Sequence, residues 1–302
     1  MDMSVFADFI TSLLCPECSE CSLYIEEDFV KKKGLASLIN VKCYDCDFCI
    51  TNYTSKTVTT DKVKGMRPFE INYRAVYALR SVGVGFNGLE KVCGILNLPK
   101  PMTRNNYDNI SNVLKDSAKC VAEKSMQNAV NELTTFQRIS YTTADGPVID
   151  IGVSVDGSWQ RRGYSSLNGV ITAISIDSGK IVDVESMSRY CRLCQINKES
   201  LTIEDFEVWH KEHKKADCKL NYSGSAPSME TEGAKRIFQR SVDNRKARYM
   251  SYFGDGDSKA FKEVEDIYSP EKIVKYECIG HYQKRVGCND LGTCTKNKVL
   301  WY

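Results

Sequence analysis

Val153-Ser154-Val155-Asp156-Gly157-Ser158-Trp159-Gln160 and Tyr252-Phe253-Gly254-Asp255-Gly256-Asp257-Ser258-Lys259 decide how this chain is read. Each is an apolar, strand-like run that ends in acid. Carboxylates set at strand ends and turned toward one place are a common way to hold divalent metal for phosphodiester chemistry. A lone Asp at a strand end is ordinarily a turn or helix-cap residue. The reading therefore depends on what surrounds the two runs.

Around them the hydrophobic pattern specifies an order of elements. Val148 to Val155, Leu167 to Ile176 and Ile181 to Met187 read as three strands, the last two joined by the turn Asp177-Ser178-Gly179. A helix follows near Met229 to Asp243, with Ala234, Ile237, Phe238 and Val242 on one face. Then come a strand (Tyr249 to Phe253), a helix through Ala260, Phe261 and Val264, and a strand from Ile273 to Cys278. The order βββ-α-β-α-β is that of the RNase H-like α/β fold, in which the first and fourth strands are neighbours in a mixed sheet. Asp156 and Asp255 would then face each other, and two close carboxylates repel unless a cation such as Mg²⁺ or Mn²⁺ lies between them. Asp257 competes with Asp255 for the second position. Asp255 is preferred because it comes directly off the strand.

The 302 residues are 42% hydrophobic with a formal net charge of +2. This is enough chain for one large core and smaller modules, but not the charge of a strongly basic nucleic-acid binder. Any DNA contact must come from local patches such as Lys31-Lys32-Lys33 or Arg161-Arg162, which otherwise are solvated faces. No apolar run reaches the roughly 18 residues that span a bilayer, so no membrane partner is expected. Met1 to Leu14 lacks the basic start and small-residue cleavage site of a signal peptide. Fourteen cysteines without such a signal point to thiols in a reducing compartment, where paired cysteines bind metal more often than they form disulfides.

Nine of those cysteines fall into two sets. Cys15-Pro16-Glu17-Cys18 and Cys43-Tyr44-Asp45-Cys46 are CxxC knuckles flanking strand-like segments, the pattern of a zinc ribbon over 15–60. Cys21 and Cys49 are spare thiols that could replace a neighbour. The second set lies in an insertion over 189–220: Cys191, Cys194, His213 and Cys218, with His210 as a substitute ligand, make a second structural Zn²⁺ shell. Otherwise Trp209 and the histidines only decorate an amphipathic helix. Between ribbon and core, 61–145 reads as helical. Two short helices meet at Gly83-Val84-Gly85, and a long one runs from about Thr103 to Phe136. They suit either a helix-turn-helix that binds DNA or a plain helical subdomain. Residues 1–14 precede the ribbon, and 146–302 form the core.

Whole phrases of this sequence resemble the Mutator-like transposases of animal genomes: Val153-to-Gln160 with Arg162-Gly163, Ser165-to-Val170, Asn221-to-Ala226 with Met229-Glu230, Gly254-to-Phe261 and Glu277-to-Arg285. The resemblance implies DNA as partner (transposon ends and target), a nuclear location and an acidic triad. Asp156 would be its first member and Asp255 or Asp257 its second. It also implies a site role for His281, from the element Cys278-Ile279-Gly280-His281. The third acid, usually a Glu on a later helix, is not assignable beyond Arg285, so the core is expected to be truncated at its C-terminus. The leading expectation is metal-dependent DNA cleavage and joining, and a homo-oligomer is compatible with it. The alternatives are a catalytically inactive, transposase-derived zinc-dependent DNA-binding protein and a nuclease with catalytic zinc. A closed four-ligand shell argues against the last.

Overall fold

The computed structural model describes residues 3–58, 68–135, 137, 139–144, 146–161, 165–216, 218–254 and 259–277. The chain forms two compact units, 1–121 and 122–302.

The first unit opens with α1 (Met3–Thr11) and a three-stranded antiparallel sheet of β1 (Leu23–Lys33), β2 (Ala36–Cys43) and β3 (Cys49–Tyr53), in the order β1-β2-β3. Asp28 interrupts the β1–β2 ladder. Its Oδ1 accepts the backbone N–H groups of Val30 and Lys31, both at 3.0 Å, and the register shifts before pairing resumes at Lys33↔Ala36. Next come α2 (Glu70–Ser81) and α3 (Phe86–Ile95), joined by a turn in which Gly83 takes φ +78°, a conformation open to glycine at little cost. Val76 of α2 and Leu89 and Cys93 of α3 are buried with Met102, Tyr107 and Ile110. Asn72 fastens α2 to the β1–β2 turn, accepting from the N–H of Leu35 (2.9 Å) and donating to the carbonyl of Lys33 (2.9 Å). The chain then enters α4 (Arg104–Leu133), whose last turns, with Ala129, Val130 and Leu133, belong to the core of the second unit.

The second unit is mixed α/β. Its six-stranded sheet comprises β4 (Ile139–Thr143), β5 (Gly146–Trp159), β6 (Asn168–Ser175), β7 (Ile181–Ser188), β8 (Ala247–Gly254) and β9 (Val274–Glu277). The order is β7-β6-β5-β8-β9, with β4 also paired to β5. β6 is antiparallel to both β5 and β7, whereas β5–β8 and β8–β9 are parallel. Between β7 and β8 lie α5 (Arg192–Ser200), α6 (Ile203–Ala216) and α7 (Ser228–Arg245), and α8 (Lys259–Val264) precedes β9. Strand pleating sends Ile151, Val153 and Val155 of β5 to one face, where they pack in one cluster with Met229, Ala234, Ile237 and Phe238 of α7. Among the described residues no helix is long and apolar enough to cross a membrane.

Gly233 sets how closely α7 approaches the sheet. A Cβ at this position would stand 2.6 Å from Cδ1 and 3.1 Å from Cβ of Ile171, which is itself buried on β6. Gly233→Val overpacks that contact and is expected to cost about 3 kcal/mol, the upper part of the usual range for added core carbons. The check is urea unfolding. The midpoint should fall with the slope unchanged, and an unchanged midpoint would show that α7 stands off the sheet.

Candidate functional site

Asp156 lies near the end of β5, opposite Thr172 of β6 in the ladder. The pleat that buries Val153 and Val155 turns Asp156 the other way, and its side chain is exposed. Its Oδ1 accepts the N–H of Gly157 at 2.9 Å, and the Thr172 hydroxyl donates to its carbonyl oxygen at 3.3 Å. On its other side β5 runs parallel to β8, with Val153↔Tyr252 and Ser154↔Phe253 as the last registered pairs. Asp156 follows Ser154 by two positions, as Asp255 follows Phe253. Asp255, Asp257, Cys278 and His281 lie outside the described residues. Farther back along the same strands a cavity of about 300 Å³ is lined by Asp150, Gly152, Ser251, Phe253 and Tyr276, among others. Asp156 is a hard oxygen donor of the kind Mg²⁺ and Mn²⁺ take.

Several side chains in the quoted phrases prove to be fasteners. The Trp159 indole N–H donates to the carbonyl of Ala226 at 3.2 Å, tying the end of β5 to the turn that enters α7. Asn221 clamps the end of β7. Its Oδ1 accepts from the N–H of Ser188 and its Nδ2 donates to the carbonyl of Ser186, both at 2.7 Å. The Tyr222 hydroxyl donates to the Ser228 hydroxyl at 2.7 Å, at the start of α7. These contacts hold strand end and helix start together next to Asp156.

Among the described residues, two groups of cysteines assemble. In the first unit, the Sγ atoms of Cys15, Cys18, Cys43 and Cys46 all lie within 4.8 Å of one another, with Cys15–Cys46 at 3.5 Å and Cys18–Cys43 at 3.6 Å. Burial opposes ionisation of Cys15, but the N–H groups of Cys18 and Glu17 and the neighbouring thiols outweigh it and bring it down to about 7. Cys46 goes the other way, up to about 12. The N–H of Phe48 favours its thiolate, but burial and the thiols of Cys15, Cys18 and Cys43 prevail. Four thiols this close cannot all ionise without a cation among them, so the donor set fits Zn²⁺. Cys21 and Cys49 are exposed and outside the group.

In the second unit, Cys191, Cys194, His213 and Cys218 meet the same criterion, with Cys191 Sγ 3.2 Å from His213 Nε2 and Cys194 Sγ 3.4 Å from Cys218 Sγ. Burial works against the Cys191 thiolate, but His213 and the N–H groups of Cys194 and Lys219 outweigh it and bring the thiol to about 6. Burial and the thiols of Cys218 and Cys191 push Cys194 up to about 12. The Trp209 ring stacks on His213 at 4.6 Å and fixes its plane. His210 instead stacks on Phe206 at 5.1 Å, and its Nε2 has no hydrogen-bond partner among the described residues. The group that could hold a metal ion thus includes His213 and not His210, and its donors suit zinc.

Neither the curated proteins nor the solved structures offer a match to this chain. A family model does: that of the Mutator-like transposases matches residues 1–296, a span that takes in the first cysteine group, Asp156 and the second cysteine group. With nearly its whole length so matched, the chain belongs to the Mutator-like transposase family.

Proposed function

We propose that this chain cuts and joins DNA with divalent metal on an RNase H-like core. The observation that carries the reading is the placement of β5. It is flanked by an antiparallel β6 and a parallel β8, and Asp156 lies two residues past the last β5–β8 pair. Asp255, the second acid of this reading, follows Phe253 in the sequence by the same two positions. Mg²⁺ or Mn²⁺, when bound, supplies Lewis acidity toward the phosphodiester and an activated water or 3′-hydroxyl. The protein's own contribution is positional. Asp156 is held by the N–H of Gly157 and by the ladder to β6, and its carboxylate waits at a strand end instead of on a loose loop. The two cysteine groups, filled with zinc, are structural. The ribbon and the helical region hold DNA, which places the protein's work in the nucleus.

The test is nicking of a supercoiled plasmid carrying element ends, with Mg²⁺ or Mn²⁺, by the wild-type chain and Asp156→Asn. The substitution keeps the shape of the side chain and removes its charge. Turnover should fall about 10²–10³-fold, as when one preorganised electrostatic contact to a transition state is removed. Equal nicking by both proteins would remove Asp156 from the site. Salt-sensitive DNA binding without nicking by either would favour the inactive, DNA-binding reading.

A further inference from the structure

We propose that the bulge in β1 is a DNA-contacting knob, with Phe29 and Val30 against the bases and Lys31 and Lys33 on the flanking phosphates. This deepens the DNA-acting reading given above and rests on it.

The bulge is a large one. In the β1–β2 ladder Asp28 pairs with Leu38, and the next pair is Lys33 with Ala36. Phe29, Val30, Lys31 and Lys32 therefore face the single residue Ser37. Ser37 gives its own backbone to Thr54, its N–H donating to the Thr54 hydroxyl at 3.0 Å and its carbonyl accepting the N–H of Thr54 at 2.9 Å. The extra residues of β1 are left to stand out from the ladder. They are held there from both sides. Asp28 accepts the N–H groups of Val30 and Lys31, and the Tyr53 hydroxyl donates to the carbonyl of Lys31 at 3.3 Å. In the turn that follows, Gly34 takes φ +65°, and a Cβ there would stand 2.6 Å from Oδ1 of Asn72. The foot of the knob is thus seated on α2.

Val30 is 94% exposed and Phe29 73% exposed. Around them, residues 28 to 33 carry three lysines against one acid. Lys31 pairs with Asp28 at 3.4 Å and Lys32 with Glu27 at 2.9 Å, and the Lys32 ammonium lies 4.5 Å from the centre of the Phe29 ring. Surface ion pairs of this kind contribute little and give way to a phosphate. β1 is an edge of its sheet, and a bulge with lysines keeps an edge from pairing with another chain. That role accounts for the bulge and the lysines. It does not account for two large apolar side chains in water, where polar ones would blunt the edge better. A duplex fits the whole set: its base edges and base steps take apolar side chains, and its phosphates flank them with negative charge.

The experiment follows binding of a fluorescein-labelled duplex from an element end to the zinc-loaded chain, by anisotropy over a range of salt concentrations. Wild type is compared with Phe29→Ser with Val30→Ser, with Lys31→Gln with Lys33→Gln, and with Phe29→Leu. We expect the apolar double variant to bind at least about tenfold more weakly at every salt concentration, with the salt slope unchanged. The lysine double variant should flatten the slope of log K against log salt by about 2. Phe29→Leu keeps an apolar wedge and should stay within about threefold of wild type. Unchanged affinity in the apolar variant beside a flattened slope in the lysine variant would overturn the role of Phe29 and Val30. Wild-type affinity and slope in both would overturn the knob and leave the DNA-acting reading standing. A wild-type chain that binds no duplex would overturn both. Sedimentation of the free proteins tests the other occupant: self-association of wild type that the apolar variant loses would assign the knob to a second copy of the chain. Zinc content and melting temperature report folding, and should the apolar variant not fold, Val30→Ser alone is read in the same way.

Discussion

Asp183→Ala is expected to lower the unfolding free energy of the second unit by about 3–5 kcal/mol, the cost of removing one partner from a buried ion pair. Asp183 sits in β7 with no exposed surface. A local irregularity puts it there. Ala173 pairs with Asp183 but Ile174 pairs with Ile181, so Val182 is an extra residue in the strand, and both Val182 and Asp183 turn inward. The carboxylate is fully engaged. The N–H of Val184 donates to Oδ1 at 2.8 Å, Arg240 donates to Oδ1 at 3.0 Å and Oδ2 at 3.2 Å, and Arg245 donates to Oδ1 at 3.3 Å. Burial works against the charge of Arg240, but Asp183 and Glu185 outweigh it and hold its pKa above the usual guanidinium value. Arg245 is buried, and Glu123 also pairs with it at 2.7 Å. Without Asp183 both guanidinium groups keep their desolvation cost and lose their main compensation. Domains of this kind hold only about 5–15 kcal/mol, so the urea midpoint should fall steeply. A loss under about 1 kcal/mol would mean that water reaches the pair. In Asp183→Leu with Arg245→Met the buried charges go together, and part of the loss should return.

That network shows where local reading stops. Asp183 in Ile181-Val182-Asp183-Val184 looks like the polar half of an alternating strand. Its partners come from a helix some sixty positions later in sequence, and nothing in the strand announces the bulge that turns it inward. The core strands were legible because one face of each is buried: in β5, Ile151, Val153 and Val155 alternate with less buried neighbours. β4 was missed for the converse reason. It is a short polar run, Ile139–Thr143, that pairs at the side of β5 and carries little apolar signal. The cysteine groups were legible because CxxC spacing fixes two ligands locally. The choice between His210 and His213 was not, because residues three apart share a helix face. It depended on where Trp209 and Phe206 stack. The phrase Asn221-to-Ala226 stood out in the sequence, but only its hydrogen bonds to β7, Trp159 and α7 show that it is a clamp.

The largest effect should come from the ribbon's metal. Cys43→Ser is expected to unfold the β1–β3 sheet and to remove the zinc held by the first of the two cysteine groups found among the described residues. The reason is the make-up of its core. The buried cluster at the knuckles contains Cys15, Leu23 and Cys43, with Ile10, Cys18, Val41, Cys46 and Phe48 packed around it. Half of this set is ligand, so little apolar area remains to fold so small a module without its ion. Structural zinc contributes on the order of 10–16 kcal/mol of binding that is also folding free energy. A serine cannot supply the thiolate, and the other three cysteines would be left crowded without full neutralisation. Hydrogen exchange should show amides of β1, β2 and β3 losing protection in Cys43→Ser or under a chelator. Amides of β5 and β8 should keep theirs in Cys43→Ser, because they fold in the other unit. Cys49→Ser, outside the ligand group and exposed, should leave both zinc and protection unchanged. Acid competes for the same thiolates, so lowering the pH should release the metal and melt the ribbon in the same step. Full β1–β3 protection in Cys43→Ser would mean that the sheet stands on its own hydrogen bonds and that its four cysteines serve something other than folding.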